Sequence, residues 1–438
     1  MRTLILIFCV GTCQSMSLIA QQDSTWTLEK CIGYALNRNI QVRKSELSND
    51  RFGLYAEQAK AQRLPSANAS VSQNFNWSRS TLSTESGLIG YNGSNYSVNS
   101  GVTIFNASRI TNLIKQAELD IAGGTFSLET TKESISLNIL NAFLQVLYAE
   151  EQVKNSTKQI ESTNGQLNLA KERLALQVIS QSDYSQVKSQ LASEKLTLAN
   201  SESQLAIAKV NLMQLMELPV TSGFNIANPD LSESLNENRL PDVKTVYETA
   251  LSIKPQVKNA AINKEIAAID ENIAKAAYFP TLSASAGISS GFANQTTDPY
   301  FDQLNNGIKP TVGFSLSIPI YQKKQVKTSV AVAKIGYRDA ELSETDTKNQ
   351  LRKNIEQACQ DVTSAQIEYE ASLENYSAMQ ESSALSDEKF TQGIINSVDY
   401  MVSKTNLIVA ESKLLQSKFN LIFSYKILDF YMGIPLSL

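Results

Sequence analysis

Apolar residues recur at every seventh position from Ile139 through Val146, Val153, Ile160 and Leu167 to Leu174. That period belongs to a helix supercoiled along a neighbouring helix. After a break around 177–182 a second ladder, Leu191, Leu198, Leu205 and Leu212, keeps the same spacing. Adding 216 to the first set of numbers gives Ile355, Val362, Tyr369, Tyr376, Ser383 and Phe390, and to the second Leu407, Leu414, Leu421 and Leu428. One helical hairpin is therefore written twice in the chain.

Taken in order, the pattern predicts a helix over 26–63, with Leu28, Ile32, Ala35 and Leu36 on one face, closed by Pro65. The period then changes to two. Ala67, Ala69, Val71, Phe75 and Trp77 alternate with Ser and Asn, predicting a strand over 66–77, and Val98, Val102 and Ile104 predict another over 97–105. Ser78–Asn95, rich in Ser, Thr and Gly, reads as an exposed loop. A long helix over 107–176 and a return helix over 183–217 complete the first repeat, residues 21–219; at 1.5 Å per residue the long one spans roughly 105 Å, too long for a globular core.

Residues 220–240 have no period and read as a connector, an equatorial segment able to wrap the outside of the body. The second repeat, 241–435, predicts a helix over 242–278, strands over 281–292 and 311–320, a long helix over 323–392 and a return helix over 398–432, leaving a tail at 436–438. Ala59-Lys60-Ala61 before Pro65 reappears as Ala274-Lys275-Ala276 before Pro280, and Ile104-Phe105-Asn106 as Ile320-Tyr321-Gln322.

Composition narrows the function. Charged residues make up 19% and net charge is -4, which leaves no basic footprint for nucleic acid. With no histidine, the commonest metal ligand and general base is missing, and no cofactor or metal set is apparent. Residues 1–20, with Arg2, the apolar run Leu4–Val10 and Ala20, read as a cleaved secretory signal. A lipoprotein anchor on Cys13 would need a small residue before it, and Thr12 fits that poorly. Cys31 and Cys359, each on a helical pattern, read as buried thiols rather than a disulfide framework. No later stretch approaches the roughly 20 apolar residues of a membrane helix, so any crossing must use strands.

The polar strand faces are Ser, Asn, Thr and Gly with almost no charge, as expected where one face meets lipid and the other a wet lumen. Four strands leave open edges in a membrane; eight from two chains give a filled interior, and twelve from three leave a lumen. The first short helix and the return helix together match one long helix in length, so each repeat supplies two helical strands of a hollow cylinder. The positions three past each rung, Ala142, Ala149, Ser156, Thr163 and Ala170, are small enough for close packing. The predicted fold is mostly α with a β membrane part. It is a duplicated helix-strand-strand-long helix-return helix unit whose trimer forms a 12-stranded transmembrane β-barrel continued by a long periplasmic α-helical barrel.

With these features the chain resembles the TolC-like outer-membrane efflux family. The resemblance covers essentially the whole mature chain. It rests on the duplicated element order and on the helix break Phe390-Thr391-Gln392-Gly393-Ile394-Ile395-Asn396-Ser397-Val398-Asp399-Tyr400, matched in the first copy by 174–184, ending Ser182-Asp183-Tyr184. The resemblance implies a homotrimer in the outer membrane that extends into the periplasm, with a periplasmic adaptor protein and an inner-membrane pump of the RND or ABC type as partners. It implies that the breaks are the periplasmic tips where the tunnel narrows and the adaptor docks, with acids at Asp183 and Asp399 facing the constriction. The tip and docking residues would be Gln177, Val178, Ile179, Gly393, Ile394, Ile395 and Asn396.

Six carboxylates around a narrow mouth would favour cations and bind a blocking cation; each Asp is equally accounted for as the N-cap of its return helix. The chain departs from the family where some members carry an Arg latch, since Ile395 stands there, and Val402 stands where a second Asp can follow. Closure would then rest on apolar contact between Val178, Ile179, Ile394 and Ile395. Gly393 is replaced by Gln177 in the first copy. The expected function is a passive exit duct of a tripartite efflux or type I secretion system. A periplasmic coiled-coil scaffold without a pore is the alternative; an envelope hydrolase would need converging acids, and the acids here are scattered along solvated helices.

Overall fold

The computed structural model describes residues 25–79, 88–219, 223–229 and 242–438; the expected signal segment and most of the expected connector lie outside these. The first repeat opens with α1 (Leu28–Arg38) and α2 (Ile40–Ala61). The single helix expected there is interrupted at Asn39, which leaves helical geometry, caps the Gln41 N–H at 2.8 Å and donates from its amide to the Leu215 carbonyl at 2.9 Å. The second repeat breaks at the matching place, between α5 (Val243–Ile253) and α6 (Pro255–Ala276), because Pro255 cannot continue a helix. There the buried Lys254 ion-pairs with Glu133 at 3.1 Å and lies over the Phe430 ring, 3.2 Å from its centroid.

Strands β1 (Ser66–Arg79), β2 (Leu88–Phe105), β3 (Thr281–Ala293) and β4 (Lys309–Ser317) form one antiparallel sheet in sequence order, so β2 of the first repeat pairs with β3 of the second. The expectation of a loop over Ser78–Asn95 is corrected in part: 88–95 continues β2 in register with 72–79. Cross-strand pairing there overrides the weak local propensity of a Ser-, Asn- and Gly-rich run; residues 80–87 lie outside the description. In the second hairpin the corresponding connection instead folds a short helix, α7 (Tyr300–Asn306), which its length and polarity did not announce.

Two helices of 67 residues each, α3 (Arg109–Ala175) and α8 (Gln325–Thr391), about 100 Å long at 1.5 Å per residue, pack against the return helices α4 (Gln181–Leu215) and α9 (Ser397–Met432). Near the middle of the molecule the ladder residues Ile139, Val146, Ile355 and Val362 are fully buried. Toward the tips the seam shifts. Val153, Ile160 and Leu167 are only half-buried, whereas Ser156, Thr163 and Ala170 are buried, with Ser156 and Ser201 hydroxyls 3.4 Å apart. Small residues on the seam let the helix axes approach, so the larger rungs are left to its sides.

The principal core gathers α1, the middle of α3 and the end of α4, with Phe224 and Ile226 of the connector. Trp26 and Ile226 form a parallel bridge, so the described part of the connector is pinned to the start of the first repeat. Cys31 and Cys359 are buried and unpaired, and burial pushes the Cys31 thiol up to about 12. Among the described residues no helix is long and apolar enough to cross a membrane. The sheet carries the exposed apolar surface instead: Val71, Phe75, Trp77, Val98, Ile288, Val312 and Phe314 stand on one face.

Candidate functional site

Both long helices stop by the same device. Gln177 and Gly393 take the left-handed conformation, with φ of 59° and 76°. Behind them Val178 N–H donates to the Arg173 carbonyl at 2.9 Å and Ile394 N–H to the Lys389 carbonyl at 2.8 Å, the six-to-one bond that ends a helix. The return helices then start on side-chain caps. The Ser180 hydroxyl accepts from the Asp183 N–H at 3.1 Å while an Asp183 oxygen accepts from the Ser180 N–H at 3.2 Å, and Asn396 accepts from the Asp399 N–H at 2.8 Å. The N-cap account of the two acids is thereby corrected: Ser180 and Asn396 are the caps, and Asp183 and Asp399 are third helical residues, where a carboxylate also meets the positive end of the helix dipole.

The two tips of one chain are fastened together. Ser397, buried at the start of α9, donates to Asp183 at 2.5 Å. Hydrogen bonds from Ser180 and then from Ser397 hold the Asp183 carboxyl below its ordinary range. Asp399 is exposed. Arg173, in the last turn of α3, donates to the carbonyls of Phe390 at 3.2 Å and of Thr391, the final turn of α8. An arginine thus does join the hairpins, but from the first copy to backbone oxygens, and not from position 395. Val178 and Ile394 remain exposed within one chain, and Ile179 and Ile395 are half-buried. A single protomer thus leaves two of the four residues of the expected apolar closure open to solvent. Gln177, Gly393 and Asn396 are exposed at the extremity.

Just above the tips lies a buried polar layer. Lys404 of α9 donates to the Thr163 hydroxyl at 2.5 Å and the Gln166 carbonyl oxygen at 3.3 Å, and faces Glu194 of α4 at 3.8 Å. Desolvation holds its ammonium below the usual lysine value, while Glu194 and Asp387 pull the other way. Tyr400 stacks on Phe390 with ring centroids 4.6 Å apart, and its hydroxyl meets Gln166. Burial, with Asp387 alongside, drives the Tyr400 phenol well above its ordinary value. A half-open groove of about 250 Å³ between α3 and α8 is bordered by Gln166, Arg173, Ile179, Asp387 and Phe390.

Sequence reasoning singled out the tips and missed this layer. Its trace was present: Glu194 lies seven after Val187 and seven before Ser201 on a buried stripe, and Lys404 seven after buried Ser397. Charges on a seam of that spacing mark a buried pair. Arg173 and Ser397 left no such trace. Among the described residues no cluster of His, Cys, Asp or Glu could hold a metal ion.

Residues 31–217 and 246–433, one stretch within each repeat, match the family model described as outer membrane efflux protein. The chain belongs to that family. It is an outer-membrane exit duct of efflux, reaching into the periplasm, and the family gives no support to a poreless scaffold.

It is 28% identical over 285 residues to the pyoverdine export outer membrane protein OpmQ of Pseudomonas aeruginosa, covering 61% of this chain and 56% of that one. It is 19% identical over 403 residues to the outer membrane protein TolC of Salmonella enteritidis, covering 90% of this chain and 79% of that one. The crystal structure of the Campylobacter jejuni CmeC outer membrane channel superposes with a TM-score of 0.76 at 14% identity, covering 99% of this chain and 94% of that one. By their names OpmQ is an export protein and CmeC a channel.

Proposed function

We propose that three copies of the chain join edge to edge into a twelve-stranded barrel in the outer membrane, continued by a helical barrel across the periplasm. The assembly is the passive last stage of a tripartite exporter. The observation that carries this is the sheet: β1 and β4 pair on one side only, and one face is predominantly apolar, with Gln73, Asn92, Ser94, Ser100 and Ser290 as its polar exceptions. In lipid each unpaired backbone group costs several kcal/mol, so the edges must meet other copies of themselves, and twelve strands are the first multiple here that leaves a lumen.

The helices carry the matching demand. Ile40, Leu47 and Leu54 on α2, Ile335 and Leu342 on α8, and Val402 and Val409 on α9 are exposed at seven-residue steps, surfaces that a neighbouring copy would cover.

In this reading Asp183 and Asp399 of three chains ring the periplasmic constriction. Gln177, Val178, Ile179, Gly393, Ile394, Ile395 and Asn396 present the surface on which a periplasmic adaptor docks, and an inner-membrane pump of the RND or ABC type loads and selects the cargo. Exposed Val178 and Ile394 support docking, since isolated apolar tips of this kind are otherwise a liability in water. The test is native mass measurement of detergent-solubilised protein together with planar-bilayer recording. A trimer that conducts ions supports the duct; a monomer without conductance overturns it.

A further inference from the structure

The geometry points to the connection between β3 and β4, with α7 at its centre, as a membrane-interface anchor on the outside of the barrel rather than a lid over its mouth. This rests on reading the apolar face of the sheet as the face that meets outer-membrane lipid. Register fixes which face α7 lies on. Val98 pairs with Ile288, Tyr96 with Ser290 and Ser94 with Phe292, so Tyr96, Ser290 and Phe292 continue the apolar face upward.

Three contacts of α7 with sheet side chains fall on that face. The Tyr300 hydroxyl meets the Tyr96 hydroxyl at 2.6 Å, the Tyr300 ring lies 4.7 Å from the Phe292 ring, and Ser290 donates to the Leu304 carbonyl at 2.5 Å. A helix held there is on the opposite side of the sheet from the Ser-, Asn- and Thr-lined surface that would border the lumen.

Its height fits the interface. From Leu282 to Phe292 the chain climbs ten residues at about 3.4 Å each; with a tilt of about 40° this is about 26 Å, against an apolar band of about 25 Å in such barrels. Phe292, and α7 upon it, therefore sit at the outer limit of the hydrocarbon. Aromatic side chains are enriched at that level; Tyr96, Phe292, Tyr300 and Phe301 stand there, with Phe75 and Trp77 two and four residues further out along β1.

Phe301 is 80% exposed and Ile308, beyond the helix, 51% exposed, while Asp302 and Asn306, four residues apart, form an exposed polar edge turned away from Phe301. Lipid is the occupant because α7 rides on β2 and β3, the two inner strands. Neighbouring copies would join at β1 and β4, away from it.

The test uses nitroxide labels on Phe301→Cys, Ile308→Cys, Asn306→Cys and, on the same face of the sheet at mid-strand, Phe314→Cys. Buried Cys31 and Cys359 remain unlabelled in the folded trimer, reconstituted in phosphatidylethanolamine and phosphatidylglycerol vesicles. Collision with oxygen, which concentrates in lipid, is compared with collision with a water-soluble nickel chelate. The proposal expects an oxygen-to-nickel ratio several-fold higher at Phe301 and Ile308 than at Asn306, and highest at Phe314. Ratios at Phe301 and Ile308 equal to that at Asn306, with Phe314 still lipid-like, overturn the anchor alone. A water-like Phe314 overturns the lipid-facing reading of the sheet, and the anchor with it.

Discussion

The guanidinium of Arg173, on the first long helix, donates to the backbone carbonyl of Phe390, on the second, at 3.2 Å, and reaches the Thr391 carbonyl beside it. The last carbonyls of a helix lack partners within it and carry the negative end of its dipole, so a cation there serves both needs. Arg173→Met would remove charged donors worth roughly 1.5–3 kcal/mol. Amides 392–394 would then exchange hydrogen about tenfold faster or more, and closed-state conductance of the reconstituted duct would rise. Unchanged exchange would mean that the hairpins are held by packing alone.

Asp183 links the hairpins a second way, through Ser397, and its depressed pKa fixes the sign of the pH response. A carboxylate whose folded pKa lies below its unfolded value of about 3.9 contributes stability above that value, and the contribution is lost as pH falls through the folded pKa. The tip is expected to loosen only below about pH 4, read as faster exchange at 396–399 on acidification. Asp183→Asn should flatten that dependence; an identical acid profile in the variant would assign it to other groups.

The ring of six carboxylates proposed at the constriction makes a separate prediction, because it concerns permeation and not stability. Asp183→Asn combined with Asp399→Asn should lower the cation preference of the open duct and weaken block by multivalent cations, most clearly at low ionic strength where screening is least. Reversal potentials in a salt gradient measure the first and dose-dependent block the second. If both match the parent protein, the acids serve only their helix ends.

Lys404 and Glu194 form a buried pair in which one Glu194 oxygen has no hydrogen-bond partner. Removing one member of such a pair costs about 3–5 kcal/mol, whereas replacing both with apolar residues is often neutral. Lys404→Met should therefore lower the melting temperature of the solubilised trimer markedly, and addition of Glu194→Leu should restore most of it. Equal losses in the single and double variants would show that Lys404 acts through Thr163 and Gln166 instead.

What the sequence made legible follows from which interactions are periodic. The seven-residue ladders and their recurrence, the strand alternation and the two helix breaks are repeated local signals, and each has a counterpart in the fold. The shift of the seam from Val153 and Ile160 to Ser156 and Thr163 was not legible, because either stripe satisfies the same spacing and only the approach of the axes chooses between them. The strand at 88–95 was hidden because its stabilisation comes from pairing with β1 and not from its own residues. At the tips the pattern located Asp183 and Asp399 within three residues of the true caps. It could not reveal Arg173 or Ser397, whose partners lie more than two hundred residues away in the chain.

The two tips share one backbone shape with different residues, and this gives the last prediction. Gln177 holds a left-handed conformation that costs a residue with a side chain roughly 1–2 kcal/mol, whereas Gly393 adopts it freely. A Cβ added at Gly393 would meet nothing within 4 Å, so Gly393→Gln introduces backbone strain and a projecting side chain without a clash inside the chain. Part of the strain is offset by the lower unfolded-state entropy of Gln, leaving a net cost of about 1 kcal/mol or less, and Gln177→Gly should be close to neutral. Both variants should assemble and conduct. If the second tip is a docking surface that needs bare backbone, Gly393→Gln alone should lose export in cells while its trimer and conductance persist. Retention of export in Gly393→Gln would remove Gly393 from the docking surface.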